Sequence, residues 1–324
     1  MFTKKWLKKV SVFSALATVT LAGLAACSSS SSDSDTVRLG IIQYAEHDAL
    51  SASREGFLEA LAEAGYVEGD NLTVDYQNAQ GDQANLQTMV DQLAGSNDIN
   101  FAIATPAAQA LLGVDAETPS LFTAVTDPVE AGLVDSLDAP GGNMTGSIDA
   151  TDVEGQIKML LKVVPDAETV GIFYNSSEVN SEVQAATAQK ALEAAGVKVI
   201  VKTVTSTNDV QQVMTSLAGQ VDAIYLPTDN TVASTASTIG EILLEAKVPA
   251  MASDEAVLDA ALFTYGVDYK AIGKQAGELA VKILKGEKAS DLAVEKPETA
   301  AIAVNEEMAA ALGIDPETIK TLAD

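Results

Sequence analysis

The run Val37-Arg38-Leu39-Gly40-Ile41-Ile42-Gln43 passes through Tyr44-Ala45-Glu46-His47 into an amphipathic segment, Ala49–Ala64, that stops at Gly65. A short apolar run followed by a 3.6-residue pattern ending on glycine reads as a strand feeding a helix. The same order recurs in strand Leu72–Tyr76, helix Asp82–Ala94, strand Ile99–Thr105 and strand Leu121–Val125, with Pro106 placed where a first helical turn accepts it. The turn Pro140-Gly141-Gly142-Asn143 closes this half. Such alternation implies a parallel sheet covered by helices on both faces.

The pattern then restarts. Thr169–Tyr174, Val197–Val204, Val221–Pro227 and Pro249–Ala252 read as strands, and Glu178–Ala195, Asp209–Leu217 and Val232–Ala246 as helices. Beyond them lie Ala261–Val267, the helix Tyr269–Leu284 and a strand-like run, Ala300–Val304. Two α/β units with no Pro-rich linker between them read as two lobes sharing a hinge.

Upstream, Lys4, Lys5, Lys8 and Lys9 precede an apolar run from Val10 to about Ala22, which closes on Leu24-Ala25-Ala26-Cys27. That run is short for a membrane span and has the layout of a secretory signal. Leu-Ala-Ala-Cys resembles the lipobox of bacterial lipoproteins, in which the cysteine is lipidated and becomes the new N-terminus. Residues 1–26 are therefore expected to be a lipoprotein signal peptide and 27–36, nearly all serine and aspartate, a flexible tether. Cys27 is the expected lipidation site. The protein is expected on the extracytoplasmic face of the cell membrane, held by that lipid.

The chain of 324 residues carries 46 acids against 19 bases and a net charge of −27. Removal of the signal leaves 15 bases against 46 acids, a charge of −31. A surplus of this sign argues against nucleic acid as a partner, because little could neutralise a run of phosphates. One cysteine rules out an internal disulfide framework and a cysteine-built zinc site, and one histidine disfavours His-centred triads. No glycine-rich dinucleotide fingerprint follows the first strand, and neither a P-loop nor a G-x-S-x-G elbow occurs. Catalysis is not supported, and no metal or cofactor is expected. The trio Glu46-His47-Asp48 could hold a proton or a metal, but adjacent side chains rarely converge. His47 reads instead as a residue at a rim or at the start of a helix.

In open parallel sheets, ligands bind beyond the carboxyl ends of the strands. Those ends are Gln43-Tyr44, Thr105-Pro106-Ala107, Thr126-Asp127-Pro128, Tyr174-Asn175, Thr228-Asp229-Asn230, Ser253-Asp254 and Gly266-Val267-Asp268. An amino acid ligand needs an anion site close to a cation site. Thr105 as N-cap, with the N–H groups of Ala107 and Ala108 free, can meet a carboxylate. Asp229 is a candidate partner for an ammonium, with Asp254 and Asp268 as alternatives. Tyr44, Tyr174 and Tyr265 can supply an aromatic wall. With Gln43, Thr126, Asp127, Asn175 and Asn230 they make up the candidate ligand-binding set.

These residues also carry a resemblance. Gly40–Gln43, Thr105-Pro106-Ala107-Ala108-Gln109-Ala110, Phe122-Thr123-Ala124-Val125-Thr126-Asp127-Pro128 and Pro140-Gly141-Gly142-Asn143-Met144-Thr145-Gly146 resemble the substrate-binding lipoproteins of a family of ABC transporters. Tyr174-Asn175, Asp222–Asn230 and Tyr265-Gly266-Val267-Asp268-Tyr269 continue the likeness, which spans Val37–Ile314 and is closest to the branch linked to tryptophan and other aromatic amino acids. The resemblance implies a two-lobed, periplasmic-binding-protein-like α/β fold. Each lobe is a parallel sheet flanked by helices, with three hinge crossovers between lobes. On that topology lobe 1 takes 37–146 plus 254–289, and lobe 2 takes 147–253 plus 290–324. It further implies a non-enzymatic, monomeric receptor that closes on a small molecule, tryptophan or another aromatic amino acid, and delivers it to an ABC permease. A receptor for a branched-chain amino acid or a sugar, and a sensory lipoprotein of the same fold, are the competing readings.

Overall fold

The computed structural model describes residues 36–298 and 300–322. The expected signal peptide, Cys27 and all but the last residue of the tether lie outside the described residues.

The first half folds as β1 (Val37–Gln43), α1 (Asp48–Glu63), β2 (Leu72–Asn78), α2 (Gln83–Leu93), β3 (Ile99–Ile103), α3 (Thr105–Val114), β4 (Ser120–Val125) and β5 (Met144–Ile148). These strands form one wholly parallel sheet in the order β2-β1-β3-β4-β5. Every residue of β3, β4 and β5 is buried, as a strand covered on both faces requires. The strand β5 was not foreseen in the sequence, where only the glycine turn before it was read.

The second half adds α4 (Val153–Val163), β6 (Thr169–Asn175), α5 (Val179–Ala194), β7 (Lys198–Val204), α6 (Val210–Ala218), β8 (Ala223–Leu226), α7 (Asn230–Ser234), α8 (Ala236–Ala246) and β9 (Ala250–Ala252). Then come β10 (Phe263–Val267), α9 (Tyr269–Leu284), β11 (Ala300–Val304), α10 (Glu306–Leu312) and α11 (Pro316–Lys320). The second sheet runs β11-β10-β9-β8-β6-β7, parallel except for the antiparallel pair β10–β11. The single helix expected over Val232–Ala246 is broken at Thr235, whose hydroxyl donates back to the Thr231 carbonyl at 2.7 Å.

Each sheet has its own apolar core. The α/β architecture with two helix-flanked, largely parallel sheets is the one expected, and the division of the chain between lobes is more finely cut. Phe263–Val267 belongs to the second sheet, whereas the expectation gave 254–289 to lobe 1. The change of lobe falls at Asp268, after which Tyr269, Ile272, Ala276 and Leu279 of α9 enter the first core. Leu292 and Val294 also pack there, and Glu295 bridges to Ser147 beside β5. The chain thus crosses between lobes after Ile148, at Asp268 and after Glu295, three crossovers among the described residues. The shifted boundary has a packing cause. Residues 254–267 bury Val257, Ala260, Leu262 and Phe263 in the second core, whereas α9 packs along α1 in the first.

Candidate ligand-binding cleft

The carboxyl ends of both sheets meet at a small enclosed cavity. The space open to the centre of a water molecule is only about 10 Å³, and the wall is formed by His47, Leu50, Ala124, Asp149, Asn180, Thr228, Asp229, Asn230, Asp254 and Tyr269. That is room for about one water, so a larger ligand is accommodated only by movement of the walls. Both lobes and two of the crossovers contribute. His47 and Leu50 stand at the start of α1, Ala124 ends β4, and Asp149 leads out of β5. Thr228, Asp229 and Asn230 join β8 to α7, and Asp254 follows β9.

Two hydrogen bonds span the cleft. His47 Nε2 pairs with Asn230 Oδ1 at 3.2 Å, and Gln184 Nε2 donates to Thr126 Oγ1 at 3.4 Å. Gln184 also accepts from the Thr228 N–H at 3.0 Å, so the lobe 2 loop and the lobe 1 strand end share one amide.

The cavity is rich in acid and poor in base. Asp149, Asp229 and Asp254 line it, and Glu178 sits directly behind Asn230 and Thr231. No lysine or arginine is among the lining residues. Burial, with a contribution from the nearby Asp254, pushes the Asp149 carboxyl up to about 6 against the opposing hydrogen bond from Tyr269. Asp254 is likewise pushed up by burial to about 6. Burial raises Asp229, and burial together with Asp229 lifts Glu178 to about 8. Tyr269 is raised far above its ordinary range by burial beside both Asp254 and Asp149. His47 is lowered by burial despite its acidic neighbours.

Several polar atoms of this wall have no partner. Asp149 Oδ2 accepts from the Tyr269 hydroxyl at 3.2 Å, but Oδ1 is buried and unpaired. Asn180 Nδ2 donates to the Thr228 carbonyl at 2.9 Å, which turns the amide oxygen the other way, buried and unpaired. The Thr228 hydroxyl and His47 Nδ1 are in the same condition. Buried polar atoms without partners are scarce in folded proteins, and four around one cavity form a template for a polar ligand.

Of the residues expected at the site, Asp229, Asn230 and Asp254 line the cavity. Asn175 stands behind it, giving its N–H to Asp229 Oδ2 at 2.7 Å and its amide to Thr231 Oγ1 at 2.8 Å. Thr126 bridges to lobe 2 as described. Tyr44 is buried with its hydroxyl donating to the Gly81 carbonyl at 3.3 Å, and proximity to Glu178 and Asp229 adds to the upward shift that burial gives it.

Others have local duties. The Gln43 amide is consumed by Ala45 O at 2.8 Å, Arg54 Nη1 at 2.8 Å and the Tyr76 hydroxyl at 3.2 Å. Asp127 Oδ1 caps a turn by accepting from Val129 and Glu130. Asp268 is exposed, caps α9 through Ala271 N and faces a separate open groove with Asp48 and Lys270. Tyr174 and Tyr265 are half-buried against the second core, so the expected aromatic wall does not assemble from them. The cap of α3 also differs. Ala104, at φ 83°, is its N-cap, and Ala108 N–H already bonds to the Ala104 carbonyl. Thr105 and Ala107 are buried, the Thr105 hydroxyl without a partner, and neither lines the cavity.

Reading strand ends missed Asp149 because β5 went unseen. Asn180 was hidden inside a helix, and Tyr269 passed for an ordinary helix start. His47, read as a rim residue, has a ring nitrogen buried in the wall. Among the described residues no group of three or more His, Cys, Asp or Glu side chains is placed to hold a metal ion.

A sequence model described as ABC transporter substrate binding protein matches residues 38–324. A tyrosine-binding protein of Clostridioides difficile is 37% identical over 276 residues, which covers 85% of this chain and 80% of that one. An ABC domain from Streptococcus pneumonia, solved in complex with L-Trp, superposes with a TM-score of 0.83 at 35% identity, covering 88% of this chain and 97% of that one. The ligand-free, open structure of a Clostridium difficile substrate binding protein with adhesive properties is 41% identical, with 86% and 96% coverage, yet superposes at only 0.66. The chain thus superposes better on the L-Trp complex than on the open structure, although the open one is nearer in sequence.

Proposed function

The chain belongs to the family of ABC transporter substrate binding proteins, and on that premise we propose that it is a lipid-anchored receptor of an importer that closes on an aromatic α-amino acid. The family is one of solute binders and not of enzymes. One observation carries the ligand class. The unpaired Asp149 and Asn180 oxygens and the Thr228 hydroxyl converge on a cavity that contains carboxyls but neither lysine nor arginine. A ligand that satisfies such a wall brings N–H donors and positive charge, as an ammonium does. The L-Trp complex and the tyrosine-binding relative support an aromatic side chain beyond that ammonium.

Asp149 and Asp254, joined through Tyr269, are the proposed ammonium partners. Asp229 is the weaker choice, since its two oxygens already accept from Val232 N at 2.8 Å and Asn175 N at 2.7 Å. Transfer to a permease, attachment through Cys27 and a monomeric state complete the reading.

The test uses the chain from Cys27 onward, which has no tryptophan because Trp6 is the single one in the sequence. Free tryptophan added to that protein, excited near its red edge, is expected to show a saturable blue shift. The expected dissociation constant is about micromolar, near −8 kcal/mol. Tyrosine should compete, and indole-3-propionate, which lacks the ammonium, should not. Binding of a sugar or a branched-chain amino acid in place of both aromatic ones would overturn the ligand class and leave the receptor standing. For the anchor, Cys27→Ala is expected to move the protein from membrane to soluble extracts.

A further inference from the structure

Behind the cavity lies a chain of polar groups that passes from one lobe to the other. Glu178, just before α5, is completely buried and accepts from Asn230 N at 3.1 Å, Asn230 Nδ2 at 2.6 Å, Thr231 N at 3.3 Å and Thr231 Oγ1 at 3.1 Å. Because the Asn230 amide nitrogen is committed to the Glu178 side chain at 2.6 Å, its oxygen faces the opposite way. That oxygen meets His47 Nε2 across the cleft at 3.2 Å. A carbonyl oxygen only accepts, so Nε2 must carry the hydrogen. In the neutral ring the hydrogen on Nε2 leaves Nδ1 as a bare lone pair, and Nδ1 is buried with no protein partner.

We propose that Glu178 and Asn230 are positioning residues that fix His47 as its Nε2–H tautomer when the lobes close, so that Nδ1 accepts a hydrogen bond from an N–H of the bound molecule. The inference rests on the amino acid reading given above. It adds a residue of lobe 1 to the ligand's contacts and makes its fit depend on a lobe 2 side chain that the ligand never touches. Tyr269 and five acidic groups surround the ring: Glu46 and Asp48 in its own loop, Asp229 from lobe 2, and Asp149 and Asp254 around the cavity. An imidazolium would be the competing state, with Nδ1 as a donor to one of these acids. Burial opposes that state.

His47 is the single histidine of the chain, so ¹⁵N-histidine labelling reports one imidazole. The ring is read by NMR in the full mature protein saturated with tryptophan, and again with tyrosine. The expected spectrum is a neutral ring with hydrogen on Nε2 and an Nδ1 resonance shifted in the direction of an accepted hydrogen bond, unchanged from about pH 6 to 7. Glu178→Gln supplies a donor where Asn230 needs an acceptor. It is expected to mix the two tautomers and to weaken tryptophan about 10- to 100-fold. N1-methyltryptophan, which keeps the ammonium and lacks the indole N–H, shows which donor Nδ1 meets: loss of the shift assigns the indole N–H, and its retention assigns the ammonium. Tight binding with an imidazolium, an Nδ1–H tautomer or an Nδ1 resonance that tryptophan leaves unshifted overturns the proposal while the receptor assignment stands. Failure of tryptophan and tyrosine to bind overturns the aromatic amino acid reading and this proposal with it. The native-chain spectrum decides the tautomer even if Glu178→Gln does not fold.

Discussion

Asp149 brings an unpaired carboxylate oxygen to the cavity wall, whereas Asp229 spends its oxygens on backbone N–H groups, and the two aspartates should fail differently when replaced. Asp149→Asn keeps the shape but removes the charge, and we expect tryptophan affinity to fall by about 2–5 kcal/mol in calorimetric titration with little change in folding. Asp229→Ala removes the cap of α7 and should cost about 1–2 kcal/mol of stability by urea denaturation. Equal effects of both changes on affinity would return the ammonium to Asp229. The pH dependence follows from the same residues. Asp149 and Asp254 titrate near 6 in the folded chain, against 3.8 for an unperturbed aspartate. Between those values the folded state holds protons that the unfolded state has released. The stability of the ligand-free closed form therefore falls as pH rises from about 4 to 6, and Glu178, near 8, carries the decline further. A bound ammonium favours the ionised carboxyls. Thermal midpoints measured with and without tryptophan should accordingly diverge as pH rises from 5 to 7, and a constant gap would contradict the assignment.

Among the elements, α1 and α9 form the tightest helix contact, and glycine makes it possible. A Cβ on Gly273 would overlap the Ser53 carbonyl, and one on Gly56 would overlap the Lys270 carbonyl. Because α9 begins at Tyr269, directly after a crossover, any wedge between these helices shifts a residue of the cavity wall. Gly273→Ala is expected to destabilise the fold by about 1–3 kcal/mol in chemical denaturation and to weaken tryptophan as well. Stability lost with affinity intact would mean that α9 moves without carrying Tyr269. Backbone strain also collects at the cleft. Ala104 and Ala124 have φ of 83° and 53°, and each sits where a lobe 1 strand turns toward the site. Periodicity could locate the strand ends but not these left-handed turns, because alanine carries no signal for them. The break at Thr235 escaped the sequence for the same reason: a threonine hydroxyl bonding backward looks like any other helical threonine.

At the scale of the molecule, three crossovers let the lobes move as bodies about a short hinge. The cross-cleft bonds His47–Asn230 and Gln184–Thr126 exist only while the lobes are together. Ligand-free protein in solution should therefore have a larger radius of gyration than the same protein with tryptophan, measured by small-angle X-ray scattering. Saturable binding with an unchanged radius would remove the closing-cleft account.

The sequence by itself determined the alternation of strand and helix, the two lobes, the absence of the commoner catalytic motifs and the place of Thr228-Asp229-Asn230 at the exit of a strand. These are local properties, fixed by hydrophobic period and by where strands end. It also held the reading of Cys27 and the segment around it, which lies outside the described residues. Tertiary structure alone decided that β10 pairs in the second sheet and α9 packs on the first, because that choice depends on which buried faces fit. It alone brought Asp149, Asn180, Tyr269 and His47 to one wall, residues separated by up to 222 positions between His47 and Tyr269. It also left Tyr174 and Tyr265 away from that wall. A polar atom becomes a ligand contact when burial removes its water and no neighbour replaces it, and that condition is set by packing across the cleft.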